Sequence, residues 1–516
     1  MLWLPRATSV MTGKDFNNDI IAAIATAPGH GAIGIVRMSG SGVVELLKQI
    51  FRVCGDSISS HPTVNNAATP VGVATSQTGT FESHRMYYGK IIGAGGEIID
   101  EVMVCPMLAP RSYTKEDTVE IYAHGGIVVL RGVLETTLCA GARLAEPGEF
   151  TKRAFLNGRV NLTQAEAVMD LISAGSNAAR RAGLRQLGGG LSRRVAAVRD
   201  VILSWLAHIE LSIDYPEHEE EAKTTAQILS EGGHIIADMD ALYKTAAVGR
   251  MLRDGIKTAI VGRPNAGKST LLNAILSEDR AIVHEMPGTT RDVLTERVVV
   301  GGVPLVLMDT AGIRDTEDPV EKIGVEKTLK AAEDAELVLY VVDKSAGFTA
   351  EDSDMITRLA SKPLVVLLNK CDLAAGQNST VDEIQQTLRQ VQKICLENET
   401  PTCEIQLVTH SHQLEISAQT GLGMDALYER IHEIFLTGIS STTADVDIIT
   451  RERHRVLLEQ AISHVKNAMR EIACGVPEDL VSVNLRAAYL ALGEVLGVEV
   501  ADDVLDRIFA EFCVGK

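Results

Sequence analysis

The run GRPNAGKST, residues 262–270, narrows what this chain can fold into more than any other stretch. It satisfies the pattern G-x-x-x-x-G-K-[ST], follows the apolar run KTAIVG and leads into the helical pattern LLNAIL. That is a strand, a phosphate loop and a helix in succession. Gly262 and Gly267 let backbone N–H groups face phosphate oxygens, and Lys268 reaches the β and γ oxygens. Ser269 is placed to bind Mg²⁺, while Asn265, Ala266 and Thr270 complete the loop. From Lys257 to about Leu436 further apolar runs alternate with amphipathic helices: LVLMDT, LVLYVVD, LVVLLNK and EIQLVTH. Strands so apolar read as buried on both faces, so the segment is expected to form a doubly wound parallel sheet.

Three more motifs follow in order, each at the C-terminal end of an expected strand, where ligands bind in such sheets. MDTAG supplies Asp309, Thr310, Ala311 and Gly312: the aspartate suits Mg²⁺ through its water shell, and Gly312 can approach a γ-phosphate. NKCD supplies Asn369, Lys370 and Asp372. The Asp372 carboxylate accepts from the N1–H and exocyclic amine of guanine, a donor pair adenine lacks. SAQ then supplies Ser417 and Ala418. Together these imply a guanine-nucleotide site.

Hydrolysis needs a positioned water and extra positive charge. The residue directly after the D-x-x-G motif, where Ras-like domains carry a water-orienting glutamine, is Ile313, which cannot orient water. Arg291 and Arg314 are near the motifs, but neither is an evident internal arginine finger. Asn265 offers a side-chain oxygen to a monovalent cation beside the phosphates. The loop His284, Glu285, Met286, Pro287, Gly288, Thr289 and Thr290 can wrap that cation with carbonyls. Thr290 is the natural switch threonine for Mg²⁺.

At 516 residues the chain has room for about three domains. Before about Asn157 it shows short β-rich runs broken by Gly and Pro, such as AIGIVRMSG, RMYYGKIIG, EIIDEVMVCPM and TVEIYAHGG, an α+β texture. Residues 55–80 read as a flexible surface insertion. From about Leu162 to Arg253, and again from Ile449 to Phe512, the apolar spacing is helical. The sheet domain therefore reads as an insertion in a helical domain. The acidic run at 217–223 reads as a solvated linker rather than a metal site. The expected division is 1–157, 158–254, 255–437 and 438–516.

A net charge of −19 argues against non-specific coating of nucleic acid or anionic membrane. The eight scattered cysteines lack a C-x-x-C pair, which fits reduced cytosolic thiols. No apolar run reaches membrane-spanning length. MLWLPRATSV lacks a secretory core; Met11 is an alternative start.

Several blocks resemble the MnmE (TrmE) family of tRNA modification GTPases: GRPNAGKST, PGTTRD, DTAGIRDTEDPVEKIGVEK and the terminal CVGK, with PGHGAIGIVRMSG, YTKEDTVEIYAHGG and PGEFTKRAFLNGRVNLTQAEA before them. The likeness runs from about Asp19 to Lys516. It implies a multi-domain α/β protein: an α+β N-terminal domain that binds folate and dimerises, a helical-bundle domain, and a P-loop GTPase domain inserted in the latter. It implies a cytoplasmic homodimer with K⁺-dependent GTP hydrolysis. With an FAD-dependent MnmG-type partner, the family adds an aminomethyl or carboxymethylaminomethyl group to C5 of the wobble uridine of certain tRNAs, its bridging carbon supplied by a tetrahydrofolate derivative (5-formyl or 5,10-methylene).

Residue by residue, the resemblance assigns K⁺ to Asn265, His284, Met286 and Thr289, and Mg²⁺ to Ser269 and Thr290. Glu321 takes the place of the catalytic glutamate that orders the attacking water. Arg37, Glu120, Arg159 and Lys516 fall on folate contact positions, Arg159 where a lysine is familiar. Cys513 comes to lie near the transferred carbon, as nucleophile or as positioning thiol.

The final run DDVLDRIFAEF puts Val504, Leu505, Ile508, Phe509 and Phe512 on one helical face, expected to anchor in the helical domain and let CVGK extend to a pocket. A prenylation box fits poorly at this terminus; a frayed end with an incidental thiol is the plain alternative. Arg180, Arg181, Arg185, Arg193, Arg194 and Arg199 are candidate tRNA-phosphate contacts, or simply a solvated helix face. The rival readings are a ribosome-assembly GTPase acting as a binding switch and an iron-transport GTPase. The first leaves the N-terminal blocks and cysteine tail unexplained, and the second lacks a membrane span.

Overall fold

The computed structural model describes residues 19–27, 29–54, 80–214, 225–277, 296–308, 332–359, 362–373, 414–436 and 447–516. It falls into two compact units: Met1–Glu166 together with Leu496–Lys516, and Ala167–Val495.

The first unit is built on a seven-stranded mixed sheet. Its strands are β1 (Ile21–Ile24), β2 (Ile33–Ser39), β3 (Phe51–Val53), β4 (Tyr87–Ile92), β5 (Ile98–Met107), β6 (Thr118–His124) and β7 (Arg143–Leu144). Their order is β3-β4-β5-β6-β2-β1-β7, antiparallel throughout except for the parallel pair β1–β7. The α+β texture of the sequence is borne out, and each β-rich run quoted above contains a strand. Helices Val43–Ile50 and Ile127–Cys139 cover one face, packing Leu46, Leu47, Leu130 and Val133 on Val36, Val104 and Ile121. Alternation along β2 and β6 sends those apolar residues inward and Arg37 and Glu120 to the other face, directly opposite each other in the register.

The final helix, Asp502–Ala510, packs within this first unit, contrary to the expectation that it anchors in the helical domain. The reason is aromatic. Phe509, buried, faces Phe155 on helix Glu149–Leu156 with ring centroids 6.2 Å apart, and Phe512 lies 5.2 Å from Phe509. Lys152 and Asp506 close the contact with a 2.5 Å ion pair. Val504, placed by periodicity on the buried face, is 38% exposed.

The second unit carries helices Asn177–Leu187, Gly190–Asp214, Thr225–Lys244, Ala246–Asp254, Glu452–Ala473 and Glu478–Leu496. The polypeptide leaves this helical part at Asp254 and returns to it at Ile449, whose N–H donates to Thr245 Oγ1 at 3.1 Å. Buried Thr450 donates to Asp170 Oδ2 at 2.7 Å, and Arg451 pairs with Asp170 at 2.8 Å. Those bonds tie the returning chain to the outgoing one, so the sheet between them is an insertion.

That inserted sheet comprises β8 (Ile256–Val261), β9 (Glu296–Val300), β10 (Val303–Leu307), β11 (Leu337–Asp343) and β12 (Leu364–Asn369), in the order β12-β11-β8-β10-β9. Four strands are parallel; β9 is an antiparallel edge joined to β10 by a hairpin. From β8 the chain order departs to β10 on one side and β11 on the other, which opens a crevice at the C-terminal end of β8. The doubly wound expectation therefore holds, with the run EIQLVTH lying outside the described residues.

Candidate functional site

The crevice beyond β8 holds the loop Gly262–Gly267 and the N-terminus of helix Lys268–Ser277. Lys268 Nζ donates to the carbonyls of Gly262 and Arg263, both at 2.9 Å. Burial holds its pKa below the ordinary lysine value, so an anion arriving here meets a cation short of solvation. Gly267 has φ 97° and a Cβ there would collide with Asn369 Nδ2, so this backbone approach admits only glycine.

Asn369, 2% exposed, is the joint between the nucleotide loops. Its Nδ2 donates to Ala266 O at 2.9 Å, and its Oδ1 accepts from the Ala418 N–H at 3.0 Å. One side chain thus joins the P-loop, the end of β12 and the Ser417–Ala418 loop. Lys370, at φ 65°, pairs with Asp343 Oδ2 at 2.6 Å. That ammonium and two bonds from Ser345 outweigh desolvation and hold the Asp343 carboxyl below its usual range. Asp372 is exposed, and no described residue bonds its carboxylate, leaving it open to a base edge. Asn265 is exposed at the loop tip with φ 61°, its amide likewise without a partner among the described residues. Ser269 and Thr270 lie on the first turn of the helix, exposed.

His284, Glu285, Met286, Pro287, Gly288, Thr289 and Thr290 lie outside the described residues, as do Asp309, Thr310, Ala311, Gly312 and the catalytic candidate Glu321. Two residues of the site have roles that no motif specifies: Arg263, at a variable position of the P-loop run, and Asp352. Arg263 Nε pairs with buried Asp352 Oδ2 at 3.1 Å, and Tyr340 donates to Asp352 Oδ1 at 2.9 Å, bracing the P-loop against β11. The only trace in sequence is the T-x-x-D start of helix Ala350–Leu359, a capping-box pattern with nothing to mark its partner.

A second cluster lies in the first unit. Arg37 pairs with Glu120 at 2.8 Å, and Tyr122 donates to the other carboxylate oxygen at 2.6 Å. Arg37 Nη1 reaches Gly515 O at 3.1 Å, and the guanidinium lies 5.5 Å from the Tyr113 ring centroid and 5.7 Å from that of Phe150. The chain end is therefore seated rather than frayed. Gly515 is buried at φ 93°, with its backbone against Ile24 and Ala25, and the Lys516 N–H turns back onto Cys513 O at 3.2 Å. Burial and the nearby Arg37 charge depress the Lys516 pKa. Cys513 is exposed. Arg159 Nη1 bonds Tyr113 O at 3.0 Å and its guanidinium covers the Tyr113 ring at 4.6 Å. So Arg37, Glu120 and Lys516 are brought together, while Arg159 joins them through Tyr113, an aromatic that no sequence pattern singles out.

Of the six candidate tRNA arginines, Arg194 is paired with Asp238 and Arg199 lies 4.0 Å from the Tyr489 ring centroid, so packing accounts for both. Arg180, Arg181 and Arg193 are exposed, and Arg185 is half-buried. Among the described residues no helix is long and apolar enough to cross a membrane.

A P-loop at the switch point of a doubly wound sheet, joined through Asn369 to the motifs that select guanine, defines a GTPase. Two family models match the chain: "GTP-binding protein TrmE N-terminus" over residues 20–159 and "MnmE helical domain" over 162–513. A protein of Lacticaseibacillus paracasei named "tRNA modification GTPase MnmE" is 43% identical over 499 residues, covering 96% of this chain and 98% of its own length. Proteins of the same name from Finegoldia magna and Acetivibrio thermocellus are 41% and 40% identical, each over 97% of this chain and 100% of their own. The chain belongs to the MnmE family of tRNA modification GTPases, and is a GTP hydrolase.

Proposed function

We propose that this chain is a K⁺-activated GTPase acting as a cytoplasmic homodimer. With an FAD-dependent MnmG-type partner it adds a carboxymethylaminomethyl or aminomethyl group to C5 of the wobble uridine of certain tRNAs, drawing the bridging carbon from a tetrahydrofolate derivative. The observation that carries this reading is the C-terminal CVGK, seated beside Arg37 and Glu120 in a chain 43% identical to a tRNA modification GTPase over 96% of its length. In this reading the GTPase domain spans 255–437.

At the nucleotide site Lys268 exchanges its two loop carbonyls for phosphate oxygens, and Asp372 accepts from the guanine N1–H and amine. Ser269, on the first turn of the helix, and Thr290 would hold Mg²⁺, which would neutralise charge developing on the phosphates. Asn265 fits a monovalent cation because its neutral, exposed amide oxygen has no partner among the described residues. His284, Met286 and Thr289 would complete that set through their carbonyls, and K⁺ held there would supply the charge an arginine finger otherwise brings. Glu321 orients the attacking water.

The N-terminal cluster fits a folate. Tyr113 and Phe150 offer ring faces, Glu120 offers acceptor oxygens to ring amines with Arg37 and Lys516 beside it, and Arg159 offers charge to a carboxylate. The folate supplies the one-carbon unit; Cys513 stands beside Lys516 at that end.

The test is nucleoside mass spectrometry of tRNA from a deletion strain carrying either this chain or its C513S form. Restoration of the modified wobble uridine by the intact chain alone supports the function and a chemical role for Cys513. Restoration by both keeps the function and makes the thiol structural. Restoration by neither, with intact protein and its native partner present, overturns the reading in favour of a ribosome-assembly switch.

A further inference from the structure

Beside the Arg37 cluster, and sharing Tyr113 with it, an open cleft of about 460 Å³ is lined by His84, Met107, Arg111, Tyr113, Lys115 and Arg159 together with Pro110 and Ser112. Three of those side chains are permanent cations and none is a carboxylate. Lys115 Nζ is steadied by the carbonyls of Asn157 and Gly158, both at 3.0 Å, and Arg159 by the Tyr113 carbonyl and ring. Arg111 is exposed, and no described residue bonds its guanidinium. Carbonyls orient these cations without neutralising them. In a chain of net charge −19 such convergence is an anomaly that a bound anion would relieve. His84 and Lys115 also hold left-handed backbone at φ 63° and 61°, a conformation that costs side-chain-bearing residues energy and aims both at the cleft.

Resting on the folate reading above, we propose that this cleft receives the poly-γ-glutamyl tail of the folate, its successive carboxylates paired with Arg159, Lys115 and Arg111. The Tyr113 ring, in contact with both Arg37 and Arg159, is the wall between the end that holds the folate rings and the end that holds the tail. The close grouping of Arg111, Lys115 and Arg159 around one cleft favours a short chain of successive carboxylates over an RNA backbone. Phosphates of a folded RNA call for cations spread over a wide surface rather than gathered in one cleft.

The experiment is titration of the full chain with 5-formyltetrahydrofolate as the monoglutamate and as the penta-γ-glutamate, followed calorimetrically at low and high KCl. The pentaglutamate binds about tenfold more tightly at low salt, as two or three partly exposed ion pairs would provide, and the advantage shrinks at high salt. Charge reversal by Arg111→Glu brings the ratio of the two dissociation constants to within about twofold of one; Arg111→Gln gives an intermediate ratio. Because Arg111 is exposed and its guanidinium bonds no described residue, neither change threatens folding. Equal affinities in the unaltered chain overturn this inference alone. Binding of neither folate overturns the folate reading and this inference with it. A ratio untouched by Arg111→Glu, with weakened tRNA binding instead, overturns it in favour of an RNA-phosphate contact.

Discussion

Arg37 and Gly515, at opposite ends of the polypeptide, are joined by a 3.1 Å hydrogen bond from guanidinium to carbonyl. The same guanidinium holds Glu120, and both side chains are about 15% exposed. A residue on β2 thereby orders the terminal segment that carries Cys513. Removing it by Arg37→Met leaves a shielded carbonyl and a shielded carboxylate short of a donor, at a cost of about 1–3 kcal/mol. The tail then opens more often, and carboxypeptidase removes Lys516 roughly tenfold faster or more. Gly515→Val produces the same trimming by a different route, since its Cβ strikes Ile24 O and its φ is unfavourable. Unchanged trimming in both variants would mean the tail is held by something else.

The Asn369 joint makes a separate prediction for the nucleotide site. Asn369→Ala strips a donor from Ala266 O and an acceptor from the Ala418 N–H, both within the nucleotide loops. Each buried orphan costs about 1–3 kcal/mol. GDP affinity, read by a fluorescent analogue, is expected to fall about 10- to 100-fold while the melting of the helical part shifts little. A loss under twofold would remove Asn369 from this role.

In the proposed reading Asp372 sets the base. Its carboxylate suits the two N–H donors of guanine; Asp372→Asn replaces one acceptor with a donor, which suits the C2 carbonyl of xanthine instead. The variant should hydrolyse XTP better than GTP, inverting the parent preference. Competition of the two nucleotides for one labelled site reads this directly.

The cation reading predicts faster GTP turnover in KCl than in NaCl, and loss of that difference in Asn265→Ala. Glu321→Ala keeps nucleotide binding while turnover falls about 100-fold or more, the scale of a misplaced catalytic water. Equal rates in the two salts would remove the cation from the mechanism. Retained turnover would return Glu321 to an ordinary surface role.

Acid should loosen the first unit in a definite direction. Burial alone would raise the Glu149 carboxyl, but bonds from Arg143 at 2.6 Å and Arg153 at 3.0 Å, with the Glu146 N–H, bring it below its ordinary value of 4.5. Asp19, desolvated but bonded by the same two arginines, is lowered as well. A carboxyl depressed in the folded state stabilises fully above its unfolded value and loses that contribution as pH falls through the folded one. Denaturant midpoints are therefore flat above about pH 5 and drop below pH 4.5. Arg143→Met should flatten the drop, because it removes the larger hydrogen bond that lowers Glu149. An equally steep drop in that variant would place the acid sensitivity elsewhere.

Some of this was legible in the linear chain because it is local. GRPNAGKST, NKCD and the alternating apolar runs specify loop, strand and helix within a few residues of themselves, so the doubly wound sheet and its motifs at the strand ends follow from periodicity and hydrogen-bonding chemistry. The N-terminal strands were legible for the same reason. Less so was the destination of the last helix. Its buried face was nearly right, with Leu505, Phe509 and Phe512 inward, yet an apolar stripe names no partner and the helix went to Phe155 in the first unit.

What the sequence by itself determined, then, is the nucleotide-binding class: the P-loop run and the NKCD motif that mark a GTPase. Tertiary structure alone decided that Asn369 binds Ala266, that Asp352 braces Arg263, that Tyr113 lies between Arg37 and Arg159, and that the terminal Gly515 closes onto Arg37. Those pairs are separated by dozens to hundreds of residues. Their geometry depends on strand order and on how apolar faces find one another, and no local pattern of residue types encodes either.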